Sequence, residues 1–214
     1  MAYKTVIFDF DGVLCRDYFY TNLKTSYPEV SDFINTKIFI KGGDVPNKWM
    51  RGELTTDDVN KIISNNTGID FDELSNLFIE SVNAMRVDNR LLNLAKTVLS
   101  RGGKVALVTN NMDVFNTITI KNYNLDKIFP VIINSSDYGI MKHDDGGRLF
   151  DIAMEKLDES NYDDALLIDD SNNARTTFES KGGATFPFEN YEQFEPWMQE
   201  NLLSMDFRYN QSIQ

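Results

Sequence analysis

"VIFDFDGVL", residues 6 to 14, is the stretch on which the reading of this 214-residue chain turns. Val6, Ile7 and Phe8 run straight into Asp9 and Asp11, and Gly12 follows. An apolar run of this kind reads as a buried strand, and ending it on two carboxylates concentrates negative charge at its tip. Further apolar runs follow the same form: "KVALV" (104–108), "VII" (131–133), "ALLI" (165–168) and a short "ATF" (184–186). Helical stripes lie between the later ones. Leu91, Leu92, Leu94, Ala95, Val98 and Leu99 precede the second strand, and Phe150, Ala153, Met154 and Leu157 precede the fourth. "RGGK" (101–104) and "KGG" (181–183) have the glycines that stop helices. Strands that are apolar throughout and alternate with helices predict an α/β fold, a Rossmann-like parallel sheet covered on both faces.

Residues 16 to 87 interrupt that alternation. They are too long for one crossover and carry helical signals alone. In "GELTTDDVNKIISNN", Thr55 or Thr56 caps an acidic first turn, with Val59, Ile62 and Ile63 on one face. "DFDELSNLFIESV" repeats the form with Leu74, Leu77, Phe78 and Val82. The expectation is a core domain of residues 1–15 and 88–214, with a helical cap domain of 16–87 inserted through hinges near Cys15–Asp17 and Arg86–Asn89. Lys37 to Arg51, in that insertion, holds four bases against one acid. This is a solvated face or a contact for the far end of a ligand. The aromatic run "DYFYTNL" (17–23) is either cap core or pocket lining.

Composition limits the chemistry. The chain is 42% hydrophobic and 25% charged, with a net charge of -12. That charge opposes nonspecific binding to nucleic acid, so no nucleic-acid partner is expected. Cys15 is the single cysteine and His143 the single histidine. A thiolate zinc site and a multi-histidine site are thereby excluded, and a serine–histidine relay would rest on one residue. Cys15 reads as packing and His143 as a loop residue near the mouth of the site. The first residues lack a signal-peptide layout, and no run approaches the ~20 apolar residues of a membrane span. The expected location is the cytoplasm, with no membrane partner.

In an open α/β sheet the ligand lies beyond the carboxyl ends of the strands. Those ends carry Asp9-Phe10-Asp11-Gly12, Thr109-Asn110-Asn111 and Asp169-Asp170-Ser171, and Lys142 follows the third strand. Asp9 and Asp169, with Asp170 beside them, form a hard-oxygen cluster that calls for a cation, and Mg²⁺ is expected. Lys142, the Thr109 hydroxyl and the amides after it suit an anion, so the rim reads as a phosphoryl site. Two residues apart on a strand, Asp9 and Asp11 can face the same way. One can attack phosphorus while the other exchanges a proton.

"DFDGV", "TNN", Lys142 and "IDDSNNA", in that order, resemble the four motifs of the haloacid dehalogenase-like hydrolase superfamily, in its branch with a helical cap after the first strand. The resemblance implies that Asp9 is a nucleophile forming an aspartyl-phosphate and a Mg²⁺ ligand. Asp11 is implied to be the general acid/base, giving its backbone carbonyl to the metal. Thr109, Asn110 and Lys142 would bind the phosphoryl group, Asp169 and Asp170 would bind Mg²⁺, and Asn173 would support the loop after the fourth strand. The third motif departs from the usual Lys-Pro-Asp and reads Lys142-His143-Asp144, with a longer "DGGRLF" after it. The implied function is a Mg²⁺-dependent phosphatase for a small phosphorylated metabolite, working as a monomer or weak homodimer. The alternatives are a sugar phosphomutase, whose relatives carry a cap histidine absent here, a dehalogenase, which needs neither Asp11 nor a metal, and a catalytically silent binding module.

Overall fold

The computed structural model describes residues 3–40 and 42–203. Lys41 of the basic stretch, and the ends of the expected core domain at 1–2 and 204–214, lie outside the described residues. In chain order come β1 (Thr5–Phe8), α1 (Leu23–Ser26), α2 (Pro28–Phe33), α3 (Asp44–Met50), α4 (Thr56–Thr67), α5 (Phe71–Asn83) and α6 (Asn89–Ser100). Then follow β2 (Lys104–Thr109), α7 (Ile120–Asn122), β3 (Val131–Asn134), α8 (Ser135–Tyr138), α9 (Arg148–Lys156), β4 (Ala165–Asp169), α10 (Asn172–Ser180), β5 (Ala184–Pro187) and α11 (Tyr191–Met198). Short π- and 3-10-helical turns link some of them.

The sheet order is β3-β2-β1-β4-β5, and every pair is parallel. The expected parallel α/β sheet is therefore present. β1 lies at its centre, with Thr5 aligned to Lys104 on one side and to Ala165 on the other. The order of connection reverses about β1, so the crevice beyond its carboxyl end is the switch point where ligands bind in such folds.

Strand alternation builds two apolar layers. Val6 and Phe8 face one way, with Leu107, Leu166, Ile168 and the stripe of α6. Ile7 faces the other, with Ala106, Val108, Leu167 and the α9 and α10 side chains Phe150, Met154 and Phe178. Val6, Ile7 and Phe8 are fully buried, each worth about 1.5–3 kcal/mol as a large apolar side chain. β1 is thus anchored on both faces up to the residue where the carboxylates begin. Gly102 and Gly182, at φ 82° and 96°, end the helices before β2 and β5 as the glycine pairs predict.

Helices α1 to α5 all fall between β1 and β2. Thr55 is the cap of α4, and it forms a reciprocal capping box with Asp58. Val59, Ile63, Leu74, Phe78 and Val82 are buried, while Ile62 and Leu77 are half-buried. The two chain crossings into this insertion lie side by side. Cys15 pairs with Val87 in an antiparallel bridge, Asp88 N–H donates to the Leu14 carbonyl at 2.8 Å, and Arg86 forks onto Asp17 at 2.7 and 3.0 Å.

A second tie joins the insertion to the loop after β2. Asp113 accepts the indole N–H of Trp49 at 2.8 Å and both the backbone N–H and hydroxyl of Thr56. Trp49 is fully buried, so this carboxylate satisfies a donor that has no water to turn to. Asp113→Ala is expected to cost about 1–3 kcal/mol by orphaning that N–H. Asp113→Asn, which keeps the acceptor, should lose less. Urea unfolding of the two variants checks this, and equal midpoints for wild type and Asp113→Ala would refute it.

Candidate active site

Sequence places four polar segments at or beyond the strand ends, and the structure gathers the carboxylates of two of them around one lysine. Lys142 Nζ lies 2.6 Å from Asp9 Oδ2 and 2.6 Å from Asp169 Oδ2. The three residues are at most 5% exposed. Backbone donors hold the other carboxylate oxygens. Phe10 N–H donates to Asp9 Oδ1 at 2.7 Å, and Ser171 N–H donates to Asp169 Oδ1 at 2.8 Å. Burial and the charge of Asp169 push the Asp9 carboxyl well above its usual range, with Lys142 pulling it back. Desolvation opposes the charge on Lys142, but Asp169 and Asp9 outweigh it and hold the ammonium above its ordinary value.

Asp11 has different surroundings. The strand ends at Phe8, so Asp9 and Asp11 sit in the turn beyond it rather than on one strand face. This corrects the expectation that strand alternation aligns them. The turn is closed by Cys15 N–H to the Phe10 carbonyl at 2.9 Å and Gly12 N–H to the Cys15 carbonyl at 2.7 Å. Asp9 points to Lys142, whereas Asp11 Oδ2 accepts from Asn111 Nδ2 at 3.0 Å. Burial raises the Asp11 carboxyl to about 7, against the pull of Lys142 and with a push from Asp170. Gly12 has φ 80°, and a Cβ there would collide with the Asp170 carboxylate, so only glycine fits between the two motifs.

Thr109 ends β2 fully buried, and its hydroxyl has no hydrogen-bond partner among the described residues. A buried hydroxyl without a partner is costly unless a ligand completes it. Asn110 Oδ1 accepts from the Lys142 backbone N–H at 2.8 Å, so this side chain positions the lysine. Two of the amides after Thr109, those of Asn111 and Met112, are satisfied within the protein. Asn111 N–H is taken up by Asn134 Oδ1 and Ser135 Oγ, and Met112 N–H by Asn111 Oδ1. These bonds stiffen the loop.

The longer third-motif loop is absorbed locally. Asp145, Gly146 and Gly147 take three successive left-handed conformations, at φ 48°, 64° and 85°. Asp144 accepts from Met141 N–H at 2.8 Å and pairs with Arg51 of the insertion. Lys142 therefore reaches the cluster despite the altered motif. Arg175 was not singled out by sequence. It donates to the carbonyls of Asp169 and Asp170 at 3.0 and 2.7 Å and fixes the loop after β4. Asn173, expected in that supporting role, is exposed on α10. The signal for Arg175 was available: one turn into α10, a base faces back over the C-terminal end of β4.

Asp9, Asp169 and Asp170 offer oxygens that all lie within 4.8 Å of one another. An all-oxygen set of three carboxylates fits a hard divalent cation such as Mg²⁺. Cys15 is buried, and burial lifts its thiol to about 11, which suits packing and not attack. His143 is half exposed beside Asp144. A cavity of about 700 Å³ opens next to Asp11, Gly12 and Asp170. Tyr18 and Phe19 line it, while Tyr20 belongs to the buried core. Lys37, Lys48 and Arg51 are not among its lining residues, and Lys48 pairs with Asp44.

No family model matches the chain, and no curated protein matches it. Solved structures do. A predicted HAD-like family hydrolase from Porphyromonas gingivalis superposes with a TM-score of 0.73 at 15% identity, over 92% of this chain and 97% of that one. A HAD family enzyme from Bacteroides thetaiotaomicron, an aspartate-to-alanine variant in complex with magnesium and inorganic phosphate, gives 0.71 at 15% identity, over 90% and 98%. A dehalogenase gives 0.61 at 16% identity, over 86% and 83%. At these identities the likeness establishes the fold. Among the described residues, no helix is long and apolar enough to cross a membrane.

Lys142 compensates two buried carboxylates at once. In metal-free buffer Lys142→Met is expected to lose about 3–5 kcal/mol of unfolding free energy, the scale of breaking a buried ion pair from one side. Urea denaturation measures it, and an unchanged midpoint would show that the cluster is not ionised as drawn.

Proposed function

Taking the haloacid dehalogenase-like fold as premise, we propose that this chain is a Mg²⁺-dependent phosphatase that hydrolyses a small phosphorylated metabolite as a monomer or weak homodimer. One observation carries the reading: the structure separates Asp9, paired with Lys142, from Asp11, held by Asn111. A metal cage alone has no use for two carboxylates in such unlike settings. A nucleophile and a proton carrier need them.

Asp9, Asp169 and Asp170, with the Asp11 backbone carbonyl, are the proposed Mg²⁺ ligands. When bound, the ion supplies charge neutralisation for the phosphoryl oxygens. The chain's own residues do the rest. The Thr109 hydroxyl and Lys142 ammonium hold two phosphoryl oxygens, and Asn110 keeps Lys142 in place. An Asp9 oxygen attacks phosphorus in line, and the bond to the substrate's alcohol oxygen breaks. Asp11 gives that oxygen its proton. Asp11 then takes a proton from water as the water attacks the aspartyl-phosphate, which frees phosphate and restores Asp9. A carboxyl near 7 is suited to both duties at neutral pH. The inserted helices roof the cavity beside Asp11 and act as the cap that limits water during the cycle.

A dehalogenase reading would leave the Asp11 environment and the Asp170 carboxylate without a task. A phosphomutase reading lacks a histidine in the insertion to favour a returning sugar phosphate.

Phosphate release from an aryl phosphate should require Mg²⁺ and stop with chelator. Asp9→Asn should abolish turnover and form no phosphoenzyme. Asp11→Asn should turn over ~10²–10⁴-fold more slowly, the usual worth of general acid–base catalysis. An aryl leaving group needs little protonation, so the second step suffers more, and phosphoenzyme should accumulate. Intact-protein mass spectrometry after acid quench detects the added phosphoryl group. Phosphorylation of Asp9→Asn, or full activity in excess chelator, would overturn the assignment.

A further inference from the structure

The cavity beside the carboxylates has two kinds of wall. Asp11, Gly12 and Asp170 close it toward the strand ends. Away from them it is lined by Phe19, Phe39, Phe188, Met85 and Met112. These side chains come from separate parts of the chain. Phe19 and Phe39 belong to the insertion, Met85 to its exit, Met112 to the loop after β2 and Phe188 to the segment after β5. Phe19 and Phe39 each rest on Trp49, at ring distances of 6.0 and 6.4 Å, so their positions are fixed from behind. Tyr18 stands at the lip and is 79% exposed.

Charge at the wall is one-sided. The lining includes four acids, Asp11, Asp17, Asp170 and Glu189, against the single base Arg16. Arg16 already donates to the Glu189 carbonyl. Asp17 is neutralised from outside the cavity by Arg86. A bond to a neutral carbonyl leaves the Arg16 charge uncompensated, so the wall keeps one cation against Asp11, Asp170 and Glu189. The volume, about 700 Å³, is in the range that holds a drug-sized molecule and exceeds what a two- or three-carbon ester needs. Aromatic faces and adaptable thioethers favour a flat ring.

Resting on the phosphatase reading above, we propose that this cavity receives the alcohol part of the substrate and selects a monophosphate ester whose alcohol carries an aromatic or heteroaromatic ring and no further anionic group. The phosphoryl group sits at the strand ends, and the ring lies among Phe19, Phe39, Met112 and Phe188. A second anion on the ring would lose hydration at a wall where acids outnumber the single base.

The test compares benzyl phosphate, ethyl phosphate and 4-carboxybenzyl phosphate, three esters of primary alcohols, by kcat/KM with Mg²⁺. Benzyl phosphate is expected to exceed ethyl phosphate at least tenfold, and the added carboxylate to remove most of that gain. Asn35 lines the cavity from an exposed position, so Asn35→Trp should fill it and lower the benzyl-to-ethyl ratio at least threefold. Calorimetric binding of benzylphosphonate and ethylphosphonate, which cannot be hydrolysed, gives a readout independent of turnover. Equal constants for the two esters, or a preference for the carboxylated one, overturn the proposal. If no ester is cleaved but benzylphosphonate binds at least tenfold more tightly than ethylphosphonate, the cavity assignment stands and the phosphatase reading falls. Equal or absent phosphonate binding overturns the cavity assignment.

Discussion

One buried ammonium holds the centre of this molecule together. Lys142 Nζ sits 2.6 Å from carboxylates on two neighbouring strand ends, those of β1 and β4. Removing an ion from water costs several kcal/mol, and excellent geometry is needed to recover it. The sheet supplies that geometry by burying β1 on both faces. Its side chains cannot shift without opening an apolar layer, so Asp9 stays beside Asp169 despite their repulsion. The strand thus stabilises an arrangement of charge that would disperse in a looser setting.

Lys142 sits in the loop between α8 and α9, and the chain turns after it to enter α9. The turn is made by Asp145, Gly146 and Gly147 in left-handed conformations, two of them glycine and therefore unstrained. Asp144 closes the loop on Met141 and fastens it to Arg51 of the insertion. The insertion is consequently tied to the third motif as well as to Asp113 and to the Asp17–Arg86 crossing. Motion of the inserted helices would be felt at the loop that carries the central lysine.

Much of this was legible in the sequence. Apolar strand runs and glycine stops gave the parallel sheet, because a strand buried on both faces leaves no polar residue in the pattern. The capping signal at Thr55 and the stripe of α5 were equally plain. The site carboxylates were visible because charge directly after an apolar strand is costly without a purpose. Two features were not legible. That the Asn111 N–H is taken up inside the fold depends on Asn134 and Ser135, more than twenty residues away. The lining role of Phe19 against the core role of Tyr20 turns on a left-handed residue, Tyr20 at φ 59°, that no pattern of tyrosines announces.

The opening stretch carries a further constraint that explains its glycine. Because β1 stops at Phe8, Asp9 and Asp11 lie in a turn, and their separation depends on how sharply that turn closes. Gly12 continues the turn at φ 80° and, having no Cβ, lets it pass close to the Asp170 carboxylate. A wider turn would swing Asp11 away from Asn111 and toward bulk water, where its carboxyl would fall back to the ordinary range and stay ionised at neutral pH. A tighter one would bring it onto Asp9 and Lys142, where the ammonium would hold it ionised as well. The observed placement, buried but off the lysine, leaves the carboxyl at about 7. The close packing of this turn on Asp170, open only to glycine at position 12, belongs to the same buried setting that raises the Asp11 carboxyl.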